Sequence, residues 1–387
     1  MSGYKWPLMK NTISIGDRLK LAKFVLTSDR FTAGQMVKQF EKEWSDWLGC
    51  EESLFVSSGS TANFLLLSAV KELYGLKNGD KVLVPACTWV TNIAPVIQLG
   101  FEPVFCDINL DDYSFRYDHL ETIAQKHPDI KIVFITHLLG YSAKNEFIQS
   151  VFPNALILED VCESHGCTGP SGKKRGSEYI GGTFSFYFGH HMTTIEGGMV
   201  STNNKELADL MRMKRSHGLA RESKNFDKHK QNNPDIIPSF LFMTDGYNFR
   251  NTDLGAVLGI SQLKRLTSMV EKRNKNYSRY YNLLSNNKDK FCVPVNNGRM
   301  SSFAFPFICN TKACKRDLIS LFEEYGIEYR PVVSGNLLKQ PFLSGYNLDI
   351  ENPNVDILHE RGVYIANNHF VGDAEFEMLE EIIRQLT

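Results

Sequence analysis

The sequence contains no apolar run close to the roughly 20 residues that a membrane-spanning helix requires. Its first residues, 1–6, also lack the apolar stretch of a signal peptide. With 43 Lys and Arg against 44 Asp and Glu, the formal net charge of −1 gives no overall attraction to nucleic acid or anionic lipid. We therefore expect a cytoplasmic protein with no nucleic-acid or membrane partner, in which local groups bind any phosphate-bearing ligand.

The eight cysteines lack the close spacing of most metal sites, because the chain has no Cys-x-x-Cys pair. Only Cys162 and Cys167, and Cys309 and Cys314, are separated by four residues, whereas zinc and iron–sulfur sites usually need closer pairs. We therefore expect free thiols that behave as small apolar side chains, and no bound metal.

The 387 residues, 42% of them hydrophobic and 22% charged, are enough for two globular domains. Between residues 50 and 205, short apolar runs alternate with longer stretches of helical spacing, which predicts a mostly parallel sheet flanked by helices. The predicted strands are 54–56, 82–85, 104–107, 132–136, 155–159 and 199–201. Since ligands of such sheets bind beyond the carboxyl ends of the strands, the residues after each strand are the candidate site residues.

The pattern changes after residue 250, where the sequence predicts a long helix or a bent pair over 254–284 and a strand over 303–309. Two more helices follow, the last of them capped by Asp373. Their apolar faces are formed by Leu318, Leu321, Phe322, Tyr325, Phe376, Leu379, Ile383 and Leu386. We therefore divide the chain into a large α/β domain, 1–250, and a smaller α+β domain, 251–387. The polar segment 220–238 has no periodicity and is predicted to be a mobile loop.

Small and polar residues follow the first predicted strand in the segment 57–63, which opens a helix rich in Leu and Ala. Backbone N–H groups and the positive end of the helix dipole suit a phosphate there, although plain capping by Ser60 or Thr61 is the alternative. Asp160 ends an apolar strand, where its carboxylate can pair with a protonated ring nitrogen or simply cap a helix. Trp89 also follows a strand and either stacks on a ring or belongs to the core.

The segment 182–198 carries the strongest signal: Gly-Thr-Phe-Ser-Phe-Tyr-Phe-Gly-His-His-Met-Thr-Thr-Ile-Glu-Gly-Gly. It resembles the Ser-Phe-aromatic-x-x-Lys-Asn … Glu-Gly-Gly signature of the DegT/DnrJ/EryC1/StrS-type sugar aminotransferases. The resemblance extends over essentially the whole chain and includes Ser58-Gly59-Ser60-Thr61, Trp89, Glu159-Asp160, His165-Gly166 and Gly246-Tyr247-Asn248-Phe249-Arg250. It implies fold-type I of the enzymes that use pyridoxal 5'-phosphate (PLP), the aspartate aminotransferase-like fold with a smaller C-terminal α+β domain.

The sequence departs from this signature at His190, which stands where the family has its cofactor-binding lysine. No lysine lies between Lys174 and Lys205, so no neighbour in this segment replaces it. An imidazole cannot form a stable imine with the cofactor aldehyde, but it can transfer protons. The exchange resembles the family's 3-dehydratases of nucleotide sugars. One branch of these carries an iron–sulfur cluster, and the lack of cysteine between Cys167 and Cys292 favours the branch without it.

The resemblance implies a reaction that uses the amine form of the cofactor, pyridoxamine 5'-phosphate (PMP), bound without a covalent link. His190 is the expected acid and base while the 3-hydroxyl leaves a 4-keto-6-deoxy nucleotide sugar. The expected products are a 4-keto-3,6-dideoxy sugar and ammonia, and L-glutamate restores PMP. GDP-4-keto-6-deoxy-D-mannose is the expected substrate, although the sequence itself names neither the nucleotide nor the sugar configuration.

The resemblance also implies roles for individual side chains. The expected cofactor-binding residues are Gly59, Ser60 and Ser185 for the phosphate, Asp160 for the ring nitrogen, Trp89 for stacking and Glu163 near the ring hydroxyl. Asn248 matches an asparagine that completes the phosphate site of the partner subunit, which implies a homodimer with shared active sites. Weaker candidates for substrate contacts, each of which could equally form an ion pair elsewhere, are His217, Arg221, Arg250, Arg330 and His369.

Two other functional classes compete with the dehydratase. A transaminase would need a lysine from elsewhere in the chain, which the lysine-free segment around His190 disfavours. A non-catalytic cofactor-binding protein or an inactivated aminotransferase is disfavoured because Asp160, Trp89 and Glu196-Gly197-Gly198 are all retained.

Overall fold

A computed structural model describes residues 3–351 and 353–386 of the chain. Its larger sheet has seven strands: β1 (Glu52–Val56), β2 (Lys81–Pro85), β3 (Glu102–Cys106), β4 (Ile130–Thr136), β5 (Leu156–Asp160), β6 (Gly181–Ser185) and β7 (Gly198–Thr202). The order across the sheet is β1-β7-β6-β5-β4-β2-β3, and β7 alone runs antiparallel to its neighbours. All six predicted strands are confirmed. β6 is an additional strand. It begins with two glycines and so lacks the apolar run by which the other strands were predicted.

Helices cover both faces of this sheet and continue into the C-terminal part of the chain. They are α1 (Ile15–Thr27), α2 (Gln35–Leu48), α3 (Gly59–Leu73), α4 (Ala94–Gln98), α5 (Tyr117–Lys126), α6 (Asn145–Val151), α7 (Lys205–Arg215), α8 (Phe226–Asn232), α9 (Asp253–Ser285), α10 (Lys312–Tyr325), α11 (Asn354–Arg361) and α12 (Asp373–Gln385). The long helix predicted after residue 250 is confirmed as one continuous helix, α9. It packs against both α1 and α2.

The second sheet has four antiparallel strands in the order β10-β11-β9-β8. They are β8 (Phe291–Cys292), β9 (Ala304–Cys309), β10 (Tyr329–Arg330) and β11 (Gly362–Ala366). Its core also takes in the buried ring of Trp6, and the N–H of Lys5 donates to the carbonyl of Gly326. The beginning of the described chain therefore packs on the C-terminal sheet, and the division at 250/251 stays a prediction.

Two local expectations are wrong. Asp373 is the first residue of α12 and not its cap, because Gly372 takes the non-helical cap position and its N–H donates to the carboxylate of Glu375. Asp373 instead pairs with Arg279 at the surface. The segment 220–238 is not a loop throughout, since it contains α8 and the short 3-10 helix Ala220–Glu222, and a second 3-10 helix, Pro238–Phe240, begins at its last residue. Its mobility stays a prediction. None of the side chains of α8 is buried, so this helix leaves no apolar periodicity in the sequence.

All eight cysteines are free thiols. Among the described residues, no group of three or more His, Cys, Asp or Glu side chains is arranged to hold a metal ion. None of the helices in the described part of the chain is both long and apolar enough to cross a membrane.

Candidate active site

A cavity of about 440 Å³ is lined by residues from the carboxyl edge of the large sheet, from α9 and from the second sheet. The turns after β1, β2, β5 and β6 all reach it, because parallel strands direct their carboxyl ends to one edge. The predicted site residues that line this cavity are Gly59, Ser60, Trp89, Asp160, Glu163, Ser185, His190 and Arg330. Its volume is that of an ordinary small-molecule site.

The other predicted site residues do not line the cavity of their own chain. Asn248 forms a bridge with the backbone of Ser216, and Arg250 with that of Val56. The other three are His217, Arg221 and His369, of which Arg221 faces Glu222 and His369 packs on the ring of Phe370. Their roles in binding stay predictions.

The N-terminus of α3 faces the cavity beside Ser185. Its cap is Ser58, whose side chain accepts from the N–H of Thr61, while Oγ1 of Thr61 accepts from the N–H of Ser58 at 3.0 Å. Of the two residues in the expected alternative, Thr61 therefore takes part in the capping box and Ser60 does not. Gly59 and Ser60 are the first two helical residues, and helix geometry gives their N–H groups no intrahelical acceptor. A Cβ atom at Gly59 would lie 2.7 Å from Cβ of Ser185 and 3.0 Å from Sγ of Cys162. The turn therefore offers N–H donors and a hydroxyl that suit an anion, and its role in binding phosphate stays a prediction.

Asp160 presents a buried carboxylate held by three donors at the end of β5. Its Oδ2 accepts from Nδ2 of Asn63 at 2.8 Å and from Nδ2 of Asn92 at 3.0 Å. Its Oδ1 accepts from the N–H of Cys162 at 2.9 Å, but no helix begins there, so Asp160 is not a helix cap. Trp89 is 55% exposed and lines the cavity, which makes it available for stacking and excludes it from the core.

Glu163 is fixed in the wall of the cavity by the N–H of Leu139, which donates to its Oε2 at 2.8 Å. Burial, helped by the negative charge of Asp160 and opposed by the hydrogen bond from Leu139, raises the pKa of Glu163 to about 7. Leu139 has the left-handed backbone angle φ of 53°, which is uncommon for a branched residue and places its N–H toward this carboxyl.

His190 lies in the turn after β6, among the rings of Phe303 at 5.5 Å, His165 at 6.1 Å and Tyr187 at 6.2 Å between centroids. Its Nδ1 is buried and has no hydrogen-bond partner among the described residues. Burial, reinforced by the positive charge of Arg273, lowers the pKa of His190 to about 4. The imidazole is therefore neutral at pH 7 and can accept a proton.

Two more buried histidines pack behind His190. Nδ1 of His165 lies 3.4 Å from Nδ1 of His191, and Nε2 of His191 donates to the carbonyl of Ser301 at 3.0 Å. Burial lowers the pKa of both side chains well below the usual range of histidine. Neither residue lines the cavity, so they support His190 and do not face a ligand directly.

Several residues of the cavity wall were missed by the sequence analysis. They are the segment Leu8–Lys10 with Thr12, and Arg273, Phe303, Tyr364, Asn367 and Asn368. Among the described residues that line the cavity, Lys10 is the only lysine, and its Nζ lies 3.6 Å from Oε1 of Glu375. No local motif marks any of them, since they come from the two ends of the chain and from the interior of a long helix.

These features fit PLP. The turn at Gly59, Ser60 and Ser185 offers donors for its phosphate, the carboxylate of Asp160 suits a protonated ring nitrogen, and the exposed ring of Trp89 offers a stacking surface. His190 faces the same cavity at the position where the family signature has lysine.

Comparison with known proteins gives a consistent result. Residues 14–382 match the family described as DegT/DnrJ/EryC1/StrS aminotransferases. The chain is 33% identical over 374 residues to GDP-4-keto-6-deoxy-D-mannose 3-dehydratase of Yersinia pseudotuberculosis, which covers 93% of this chain and 94% of that protein. It is 31% identical over 378 residues to the enzyme of the same name from Escherichia coli, covering 94% and 96%.

Solved structures agree with this similarity. A structure of the E. coli GDP-4-keto-6-deoxy-D-mannose-3-dehydratase with bound hydrated PLP superposes with a TM-score of 0.91 at 28% identity, covering 98% of this chain and 99% of that one. A structure of GDP-4-keto-6-deoxymannose-3-dehydratase with a trapped PLP–glutamate geminal diamine gives a TM-score of 0.89 at 28% identity, covering 98% and 100%.

Proposed function

The chain belongs to the DegT/DnrJ/EryC1/StrS aminotransferase family, and from this premise we propose that it is a lyase that removes the 3-hydroxyl of a 4-keto-6-deoxy nucleotide sugar. The substrate is GDP-4-keto-6-deoxy-D-mannose, the cofactor is PLP working in its amine form, PMP, and glutamate is the amino donor. The observation that carries the proposal is a neutral, half-buried His190 facing a cofactor-type cavity where a transaminase needs lysine.

Different residues around the cavity bind different parts of the cofactor. Gly59, Ser60 and Ser185 bind the cofactor phosphate, and Trp89 covers one face of the ring. Asp160, kept in place by its amide donors, holds the proton on the ring nitrogen. With that proton in place, the bound cofactor supplies an electron-accepting ring next to its amine.

His190 performs the proton transfers. With a pKa of about 4 it is unprotonated at pH 7, so the imidazole can take a proton from the carbon beside the cofactor amine. The protonated imidazole then sits in a low-dielectric site that disfavours its charge, which makes it a ready acid toward the departing 3-hydroxyl. A lysine would instead bind the cofactor covalently and compete with the amine form that the reaction requires.

A transaminase remains the second candidate because of Lys10. This lysine lines the cavity, although it reaches it from the N-terminal segment and pairs with Glu375. If Lys10 were the cofactor lysine, reduction of the PLP-loaded protein with borohydride would fix the cofactor to Lys10. We expect no modified lysine in peptide mass spectra after reduction, and loss of the cofactor on dialysis.

A homodimer with shared active sites belongs to the same proposal. Asn248 does not line the cavity of its own chain, as expected for a residue that serves the neighbouring subunit. Large apolar side chains near it in sequence are exposed, among them Ile237, Phe240 and Phe242, and a second copy of the chain would cover them. We place the dimer in the cytoplasm, where nucleotide sugars are made.

The function is tested by incubating the protein with glutamate, PLP and 4-keto-6-deoxy sugars linked to GDP, CDP or dTDP. We expect release of ammonia and a product that has lost the 3-hydroxyl, fastest with the GDP sugar. Formation of a stable 4-amino sugar without loss of water would instead identify a transaminase.

A further inference from the structure

Arg273, on α9, is a buried arginine in the cavity wall that has no acidic partner in the described part of the chain. Its side chain is 2% exposed, and Nη1 donates to the carbonyls of Phe303 at 3.1 Å and of Asn367. Nε is buried without an acceptor, and no acceptor for Nη2 is found among the described residues. On the same helix, Arg265 pairs with Asp17 and Arg279 with Asp373. Arg273 alone of the three has an unpaired guanidinium edge, and Arg273 is the one of the three that lines the cavity.

An unpaired guanidinium in the interior is unfavourable unless an anion joins it. Burial lowers the pKa of Arg273 to about 9, so the group is still cationic at neutral pH. A charge removed from water without an opposite charge costs free energy that a bound anion recovers. Two N–H groups on one planar edge match the two oxygens of a carboxylate.

The position of Arg273 relative to His190 decides which anion fits. Both residues contact Phe303 in the wall of the same cavity, since Nη1 of Arg273 donates to the carbonyl of Phe303 at 3.1 Å and the rings of His190 and Phe303 lie 5.5 Å apart. The positive charge of Arg273 also lowers the pKa of His190. In an amino-acid donor, the α-carboxylate is bonded directly to the carbon that loses its proton, with oxygens only about 2.4 Å from it. The diphosphate of a nucleotide sugar is several bonds away from the reacting carbons. The cofactor phosphate has its own site at Gly59 and Ser60.

We propose that Arg273 binds the α-carboxylate of the amino acid that restores the amine form of the cofactor. This proposal rests on the proposed function and adds the residue that selects an α-amino acid as donor. Because the bound carboxylate partly neutralises Arg273, donor binding also makes His190 a stronger base at the moment when a proton must be removed.

The test measures binding of 2-methylglutamate, whose amine condenses with the aldehyde of PLP but which has no α-proton and so cannot be transaminated. Its affinity is compared by absorbance titration with that of its α-amide and of its γ-amide. We expect the wild type to prefer the acid over the α-amide by about 10-fold to 100-fold, the range of a charge-assisted hydrogen bond. Arg273→Gln should lose most of this preference, and Arg279→Gln, the same change on the same helix outside the cavity, should keep it.

Three results would overturn the proposal. The first is a wild type that binds the acid and the α-amide equally well. The other two are an Arg273→Gln protein that still prefers the acid over the α-amide, and an Arg273→Gln protein that loses only the preference for the acid over the γ-amide. If Arg273→Gln fails to fold, Arg273→Lys retains the charge without the planar edge, and should keep only part of the preference. The comparison of the acid with its α-amide in the wild type tests the proposal without any variant. A wild type that binds the donor as expected but does not dehydrate the sugar would refute the proposed function and leave this assignment intact.

Discussion

Nδ2 of Asn63 donates a 2.8 Å hydrogen bond to Oδ2 of Asp160, and with Asn92 it fixes the carboxylate that faces the cavity. Oδ1 of Asn63 in turn accepts from the hydroxyl of Thr183 on β6. The carboxylate is therefore oriented by α3, by the turn after β2 and by the neighbouring strand. In this buried place, the three hydrogen bonds of the carboxylate replace those of water.

Replacing the amide donors should weaken the cofactor site. We expect Asn63→Ala and Asn92→Ala each to raise the dissociation constant of PMP and to slow the half-reaction with glutamate by about 10-fold, the cost of one hydrogen bond to a charged group. Asn203→Ala, at the opposite edge of the same sheet, removes hydrogen bonds to Ser177 and Glu51 and should leave both values unchanged. Normal kinetics in both cavity variants would show that the orientation of Asp160 does not matter.

Gly59→Ala should obstruct the phosphate site. The added Cβ would lie 2.7 Å from Cβ of Ser185, so either Ser185 or the start of α3 must move. We expect PLP affinity, measured by fluorescence titration, to fall by at least about 10-fold, since the phosphate loses a well-placed donor. Gly16→Ala on α1, where the nearest atom is Oγ of Ser14 at 3.6 Å, is the matched control and should bind PLP normally.

Asn248→Ala should weaken PLP binding in the neighbouring subunit by about 10-fold, the cost of a hydrogen bond to the phosphate. Mixed with His190→Asn protein, it should form hybrid dimers in which one site of two has both His190 and Asn248. The measurement is dehydration at a PLP concentration below the dissociation constant of Asn248→Ala. If activity does not rise when the two variants are mixed, the sites are not shared.

Acid should destabilise the cofactor-free protein partly through His190. Its pKa is about 4 in the folded protein and about 6.5 when unfolded, so the unfolded state binds more protons between these values. The contribution to stability is therefore complete above pH 6.5 and is lost as the pH falls toward 4. Wild type should lose up to about 1.4 kcal/mol per pH unit relative to His190→Asn across this window. The free energy of unfolding of both proteins is measured by urea denaturation from pH 7 to pH 4. If it changes with pH by the same amount in both, the lowered pKa of His190 is contradicted.

The sequence predicted those parts of the molecule that depend on local pattern. Apolar runs marked the strands, and the family signature located Asp160 and His190 at their ends. It gave no indication of Arg273 or of the N-terminal segment at Lys10, because these side chains reach the cavity only through packing between distant parts of the chain. The amide donors of Asp160 were missed for the same reason, since Asn63 lies 97 residues away along the sequence.

The central claim is that His190 is the acid and base of a dehydration, and His190→Lys tests it most directly. The variant should bind PLP covalently, with an absorbance at about 400–430 nm that wild type lacks. Loaded with PMP and given GDP-4-keto-6-deoxy-D-mannose, it should release ammonia and dehydrated sugar at least about 100-fold more slowly than wild type, because the acid–base group is lost. If the lysine variant dehydrates the sugar as fast as wild type, His190 does not transfer the protons and the account is wrong.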